Sequence, residues 1–274
     1  MVKRLFVTYC LLVISLASVA ADNYLIGARA SAMGNTAVTL SDVWASSHNQ
    51  AALAGLKNSS AGIFFDNRFM LPELSIKGFA LALPLKNSGV IAVSGTYFGY
   101  SLYNEQKAGL AFAKNLGAKI SVGIQLDYLS TYIADDYGSR NTLAAEAGIL
   151  AEPFDKFKIG VHVFNLTSAK LADYDDERIP VIFRLGASYS FSEKVLLCAE
   201  TEKDISTEAN FKAGIEYHPI EQLYLRGGIT SDPLLSSFGF GLKLKKFTLD
   251  FSSSFHQTLG FTPQLALSYD FTKP

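Results

Sequence analysis

The chain has 274 residues, of which 49% are hydrophobic and 18% are charged, and its formal net charge is −1. This near-neutral charge gives no electrostatic basis for nucleic-acid binding, and no segment beyond the N-terminal leader approaches the ~20 apolar residues of a transmembrane helix. A hydrophobic composition without a long apolar run is typical of a membrane β-barrel, because only alternate strand residues face lipid.

Residues 1–21 are predicted to be a secretory signal peptide that is removed on export. Lys3 and Arg4 precede an apolar stretch over residues 5–16, and small residues suited to cleavage close the segment. An uncleaved membrane anchor is the alternative, which the shortness of the apolar stretch disfavours. Cleavage leaves Cys198 as the single cysteine of the mature chain, so no intrachain disulfide is expected.

Residues 22–56 are predicted to fold as a separate hatch, or plug, in the mouth of the barrel. Small side chains dominate this segment and strand alternation is absent. Ser41 or Asp42 can cap one short helix, and Asn49 can cap a second that ends at Gly55. A loose periplasmic leader is the alternative interpretation of the same segment.

Residues 57–274 are predicted to form an all-β, transmembrane antiparallel β-barrel of about 14 strands. Bulky residues alternate with small or polar ones along most of this region, as a wall between lipid and water requires. The predicted strands lie near 60–67, 74–84, 89–99, 103–113, 120–128, 142–151, 157–166, 181–191, 194–203, 209–217, 222–230, 238–244, 247–255 and 265–271. A soluble β-sandwich or lipocalin-like barrel, with the apolar face buried, is the alternative.

Tight turns alternate with longer connections between these strands, as expected when one set of turns is periplasmic and the other is extracellular. The longest connection, 168–180, is predicted to lie outside the cell. It contains the acidic run 173–177, whose oxygen ligands could hold calcium but which lacks the spacing of an EF-hand loop. A solvated acidic loop is therefore favoured over a metal site.

The polar face of the strands supplies a set of charged and amide side chains that are predicted to face the lumen. Their mixed signs favour internal ion pairs and a plugged interior over an open, ion-selective pore. The candidates are Gln125, Asp127, Glu146, Lys212, Glu216, Lys243, Asp250 and Asp270.

No catalytic, cofactor-binding or metal site is predicted, and no cofactor is expected. The four histidines have no metal-ligand spacing to one another or to a cysteine. His256 could pair with Ser252 or Ser254, as a barrel phospholipase needs, but no third residue to orient it is evident. The protein is therefore predicted not to be an enzyme.

The hatch segment Gly27-Ala28-Arg29-Ala30-Ser31-Ala32-Met33-Gly34-Asn35-Thr36-Ala37-Val38, with Ser41-Asp42 and Asn49-Gln50-Ala51-Ala52-Leu53, resembles the N-terminus of the PorV/PorQ family. That family lies within the superfamily of fatty-acid-transporter-like (FadL-like) outer-membrane barrels. The resemblance implies a fourteen-stranded barrel with an N-terminal hatch. The family commonly has Asn-Pro-Ala where this chain has Asn49-Gln50-Ala51, so the hatch backbone is expected to differ there. The residues expected to shape the hatch are Gly27, Arg29, Met33, Gly34, Asp42 and Asn49.

The resemblance implies a non-enzymatic barrel in the outer membrane of a diderm bacterium, surrounded by outer-membrane lipid. It would act in type IX-like protein secretion or surface attachment, with secretion-machinery or surface proteins as partners. The alternative is a channel for hydrophobic small molecules such as fatty acids. An apolar route for that channel could be lined by Phe64, Phe65, Phe69, Met70 and Leu71. A continuous apolar tunnel would favour transport, and a filled lumen would favour a binding or structural role.

Overall fold

The computed structural model of the chain describes residues 23–86, 88–134, 138–170, 178–205 and 207–271. The predicted signal peptide and the acidic run 173–177 lie outside these described residues. Fourteen antiparallel strands form a closed barrel in which each strand pairs with its sequence neighbours and the first pairs with the last. The predicted fold class and the predicted strand number are confirmed.

The strands follow one another without crossover connections. They are β1 (Ser59–Asn67), β2 (Ser75–Leu85), β3 (Gly89–Gly99), β4 (Tyr103–Asn115), β5 (Ile120–Ile133), β6 (Gly138–Phe154), β7 (Phe157–Phe164), β8 (Ile182–Ser190), β9 (Val195–Asp204), β10 (Asn210–Ile220), β11 (Leu223–Ser231), β12 (Leu234–Leu244), β13 (Phe247–His256) and β14 (Gly260–Phe271). Each predicted strand corresponds to one of these.

The two faces of the wall have the polarity that the alternation predicts. Ile124 and Phe211 are 62% and 64% exposed on the outside, whereas Gln125, Lys212 and Asp250 are buried inside. Such an outward apolar surface needs lipid around it. A soluble sandwich, which would bury the apolar side chains, is thereby excluded. Within the described residues, no helix is long and apolar enough to cross a bilayer.

The two ends of the barrel differ in their longest connections. We call the end with two-residue turns such as 155–156 and 245–246 the turn end, and the opposite end, which carries the longest connections, 68–74 and 165–181, the loop end. The predicted alternation of tight turns with longer connections is found only in part, because β11 and β12 are separated at the loop end by residues 232–233 alone. The chain enters β1 at the turn end, and β14 finishes there at Phe271. Because the strand number is even, the hatch and the C-terminal strand join the barrel from the same side.

Residues 23–56 lie inside the barrel rather than beside it, and most of them are buried. They form the short helix α1 (Ala28–Ala32) and two 3₁₀ helices, Val43–Ser47 and Gln50–Gly55. The side chains of Asp42 and Asn49 accept hydrogen bonds from the backbone N–H groups of Trp44 and Ala51, as the predicted caps require.

The hatch lies in direct contact with the wall because inward-facing wall residues are small at its level. An added Cβ at Gly228 would stand 2.2 Å from the Gly34 nitrogen, and one at Gly160 would stand 2.5 Å from the Val38 carbonyl oxygen. On the other side, Ala111 and Ala113 of β4 pack in an apolar cluster with Ala51 and other hatch residues. This explains why β4 has a small rather than a polar inner face.

Candidate functional site

The first ionic network of the lumen joins the start of the hatch to β10, β11 and β13. The Arg29 guanidinium donates to both carboxylate oxygens of Glu216, at 2.9 and 2.7 Å, and lies 3.4 Å from Asp42. Arg226 donates to Glu216 at 2.7 Å and to Asp250 at 2.5 Å. Four predicted candidates are thus brought together, and each buried charge has an opposite partner.

The second ionic network lies nearer the loop end and is centred on Glu146 of β6. Its carboxylate accepts hydrogen bonds from Lys107, from the hatch residue Gln50 and from His162 Nε2, the last at 2.9 Å. Arg184 lies 3.3 Å from His162 Nδ1. Because arginine only donates, that contact places the imidazole proton on Nε2.

Gln50, which stands where the PorV/PorQ family commonly has proline, links the hatch to the wall through its side-chain amide, a contact that proline could not make. Gln125 and Asp127 stand beside this network on β5. The Gln125 amide donates to Asp127 at 2.8 Å, and Lys107 lies 3.6 Å from the same carboxylate.

From Arg184 of β8, three further charged side chains extend the second network across β9 and β10. Arg184 donates to Glu202 at 2.5 Å, and Lys212 lies 3.0 Å from the same carboxylate. Glu200 accepts the backbone N–H groups of Ala37 and Val38 at 2.7 and 2.9 Å. A wall carboxylate therefore holds two consecutive hatch amides.

The remaining hatch candidates have structural surroundings. Gly27 and Gly34 have φ of 116° and 67°, values that favour glycine. Met33 is fully buried in an apolar cluster with Leu40 and Cys198. The Asn49 amide donates to the Val38 carbonyl at 2.8 Å, in addition to its capping bond.

Lys243 and Asp270 differ from the other six lumen candidates because they are exposed. They have the inward register expected of them but stand near the turn end, where they border a cavity of about 230 Å³. Both side chains therefore point inward at the rim of the barrel, and they do not join the buried ionic networks.

A larger cavity of about 390 Å³ opens at the loop end, and we call it the vestibule. Ser31 and Asn35 of the hatch line it, as do Asp66, Arg184 and Lys212 of the wall. Polar residues outnumber apolar ones around it. The vestibule shares no lining residue with the turn-end cavity, so the hatch separates the two.

The predicted apolar route is not continuous. Phe64 is buried and packs edge-on against Trp44 of the hatch, with ring centroids 6.1 Å apart. Phe65, Met70 and Leu71 are exposed, and only Phe69 lines the vestibule. These five side chains therefore do not form one path through the described part of the barrel.

His256 is engaged at the end of its hairpin. Its Nδ1 accepts the backbone N–H groups of Thr258 and Leu259, each at 3.1 Å. Within the described residues, no hydrogen bond joins His256 to Ser252 or Ser254. The arrangement needed for a phospholipase is thus not formed.

His48 is the buried histidine of the hatch, and its Nε2–H donates to the Ile26 carbonyl at 2.6 Å. Burial lowers the pKa of His48 to about 3, because the charged imidazolium would lose its hydration. The hatch therefore holds this side chain in its neutral form.

Several wall residues of the two networks were missed by sequence reasoning. They are Lys107, His162, Arg184, Glu200, Glu202 and Arg226. Each of these residues has inward register on its strand, so the alternation of the sequence could have identified them. The alternation is a weak indicator of charge inside the barrel, because apolar residues such as Leu196 and Cys198 also lie on the inner face of β9 and pack on the hatch.

Solved structures of transporters share this architecture. The chain resembles the CymD monoaromatic hydrocarbon channel, with 12% identity and a TM-score of 0.70, over 90% of this chain and 98% of that chain. It resembles the toluene transporter TbuX of Ralstonia pickettii, with 13% identity and a TM-score of 0.69, over 90% and 98%. A Pseudomonas aeruginosa FadL homologue gives 12% and 0.65, over 88% and 96%.

No family model matches the sequence, and no curated protein is similar to it in sequence. The structural likeness therefore shows the fold, which is that of FadL-like barrels. It gives no support to the narrower PorV/PorQ resemblance.

Proposed function

We propose that this chain is an outer-membrane channel for hydrophobic or amphipathic small molecules, which enter from the loop end. The observation that carries the proposal is the whole-chain likeness to hydrocarbon channels, including a barrel of the same architecture. The loop end would face the exterior and the turn end the periplasm, since long loops are extracellular in such barrels.

In this proposal the vestibule captures the molecule and the hatch controls its onward movement. The hatch separates the vestibule from the turn-end cavity, so a bound molecule passes only if part of the hatch rearranges. The two ionic networks hold the hatch in its closed position through Arg29, Gln50 and the Glu200 contacts.

The test is uptake of labelled toluene or a labelled fatty acid by diderm cells that lack their own channel for such compounds. A reversible lock can be placed between Ile26 of the hatch and Gly78 of β2, where an added Cβ would lie 3.2 Å from Ile26 Cγ2. We expect Ile26→Cys with Gly78→Cys, in a Cys198→Ser background, to lose most uptake when oxidised and to regain it on reduction.

The matched control is Ile26→Cys with Cys198→Ser, which cannot form the crosslink and should transport under both conditions. Uptake no greater than that of cells without the protein would overturn the proposal. Uptake that persists through the oxidised lock would instead mean that the Ile26 arm stays in place during transport.

A second candidate is a binding component for secretion or surface attachment, which the PorV/PorQ resemblance implied. The closed lumen is the observation in its favour, although the structural comparisons do not support it. Affinity purification from native outer membranes separates the two candidates. Recovery of secretion or surface proteins supports this role, and recovery of a small apolar molecule supports the channel.

A further inference from the structure

One corner of the vestibule contains a buried acceptor with an unused lone pair. Asp66 of β1 lines the vestibule and is only 3% exposed, yet its Oδ1 has no hydrogen-bond partner among the residues that the structure describes. Its other oxygen, Oδ2, accepts from the Gln264 amide at 3.1 Å. The Ser252 hydroxyl donates to the Gln264 carbonyl oxygen at 2.8 Å, which fixes the orientation of that amide.

The acceptor stands next to a positive charge. Arg68 Nε lies 3.8 Å from Asp66 Oδ2, and its guanidinium lies over the Tyr24 ring at 4.7 Å. The positive charge of Arg68 would therefore repel a cationic ligand at Oδ1, whereas it would not repel a neutral hydrogen-bond donor. A neutral hydroxyl fits this charge pattern best.

Phe69 supplies an apolar surface in the same corner, and its neighbours fix its position. Phe69 has φ of 54°, which is unfavourable for a bulky residue. The Thr262 hydroxyl accepts its N–H at 3.1 Å, and the ring stands edge-on to His256, with centroids 6.2 Å apart. Leu25 and Leu235 line the vestibule with it. The Phe69 ring therefore provides an apolar surface on which an apolar group inside the cavity can pack.

A pure hydrocarbon bound in the vestibule would leave Asp66 Oδ1 buried without a donor. Its affinity would be lower for that reason, since an unsatisfied buried polar group is destabilising. We propose that the vestibule selects neutral hydroxylated molecules, such as phenols or other aromatic alcohols, which donate to Asp66 Oδ1 while the ring packs on Phe69. This proposal rests on the proposed channel function and narrows its substrate class.

The test compares 4-fluorophenol with 4-fluorotoluene, which differ only by a hydroxyl in place of a methyl group. Binding is measured by ¹⁹F NMR on the full mature chain in lipid nanodiscs, with protein-free nanodiscs to subtract partition into lipid. We expect the phenol to bind about ten-fold more tightly, as one hydrogen bond to a carboxylate provides.

Asp66→Leu should abolish the preference, and Asp66→Asn, which keeps an acceptor oxygen, should retain part of it. Asp270→Leu at the turn end is the matched control and should leave the preference unchanged. The comparison on the unmodified protein is decisive even if Asp66→Leu fails to fold.

The outcomes separate this inference from the channel function. Equal binding of both probes, insensitive to Asp66→Leu, would overturn the inference, because water would then satisfy Asp66, while the channel function would stand. Preference for fluorotoluene would have the same meaning. Failure of both probes to bind would overturn the inference, whereas the channel function would still be decided by the uptake of labelled toluene or fatty acid.

Discussion

Glu200 is expected to be the strongest single anchor between the wall and the hatch. Its Oε2 accepts the N–H groups of Ala37 and Val38 at 2.7 and 2.9 Å in a buried setting. A hydrogen bond to a charged group is worth about 1.5–3 kcal/mol, so Glu200→Ala should weaken hatch docking by about 3 kcal/mol or more. That corresponds to about 100-fold more frequent local opening.

Hydrogen exchange of the Ala37 and Val38 amides, followed by mass spectrometry on protein in nanodiscs, measures this opening directly. Glu200→Gln keeps the acceptor but loses its charge, so its effect should be smaller, at about ten-fold. Glu221→Ala, at an exposed turn, is the matched control and should have no effect. Wild-type exchange rates in Glu200→Ala would refute the reasoning, because the two bonds would then contribute nothing to docking.

Three other predictions concern the hatch and the barrel. Gly148→Ala should also loosen the hatch, because the new Cβ would stand 1.9 Å from Asn49 Oδ1, whereas Gly227→Ala meets nothing nearer than 3.9 Å and should be silent in the same exchange assay. Docking of the hatch should weaken as pH falls from about 6.5 towards 3. The reason is that His48 becomes protonated in the released hatch over this range, whereas its pKa is about 3 in the docked hatch. Hydrogen exchange of the hatch amides that depends on pH equally in the wild type and in His48→Gln would argue against this. The folded protein should migrate faster on a gel unheated than boiled, because a closed barrel resists denaturation, and identical mobility would contradict closure.

The strands could be predicted because lipid imposes a strict rule on every second residue. β14 illustrates this, since Leu265, Leu267 and Phe271 are all exposed to the outside, as the sequence pattern required. The rule depends only on the wall having two different surroundings. It therefore finds the number and order of strands without knowledge of the interior.

The interior could be predicted only in part, because the hatch replaces water along much of the inner face. Glu200 and Cys198 share one inner face of β9, yet one binds hatch amides and the other packs against Met33. No periodicity distinguishes those two roles. The vestibule could not be predicted from the sequence, because its lining residues Tyr24, Arg68 and Gln264 come from distant parts of the chain and only the fold brings them together.

The course of the hatch has a consequence for how the protein can be labelled. The chain joins the barrel wall at Ser59, at the turn end, yet Asn23 and Tyr24 line the cavity at the opposite end. An affinity tag or fluorescent fusion joined directly ahead of Asn23 would therefore be held at the mouth of the vestibule. A reporter attached after Phe271 would sit on the far side of the membrane from that opening and leave it clear.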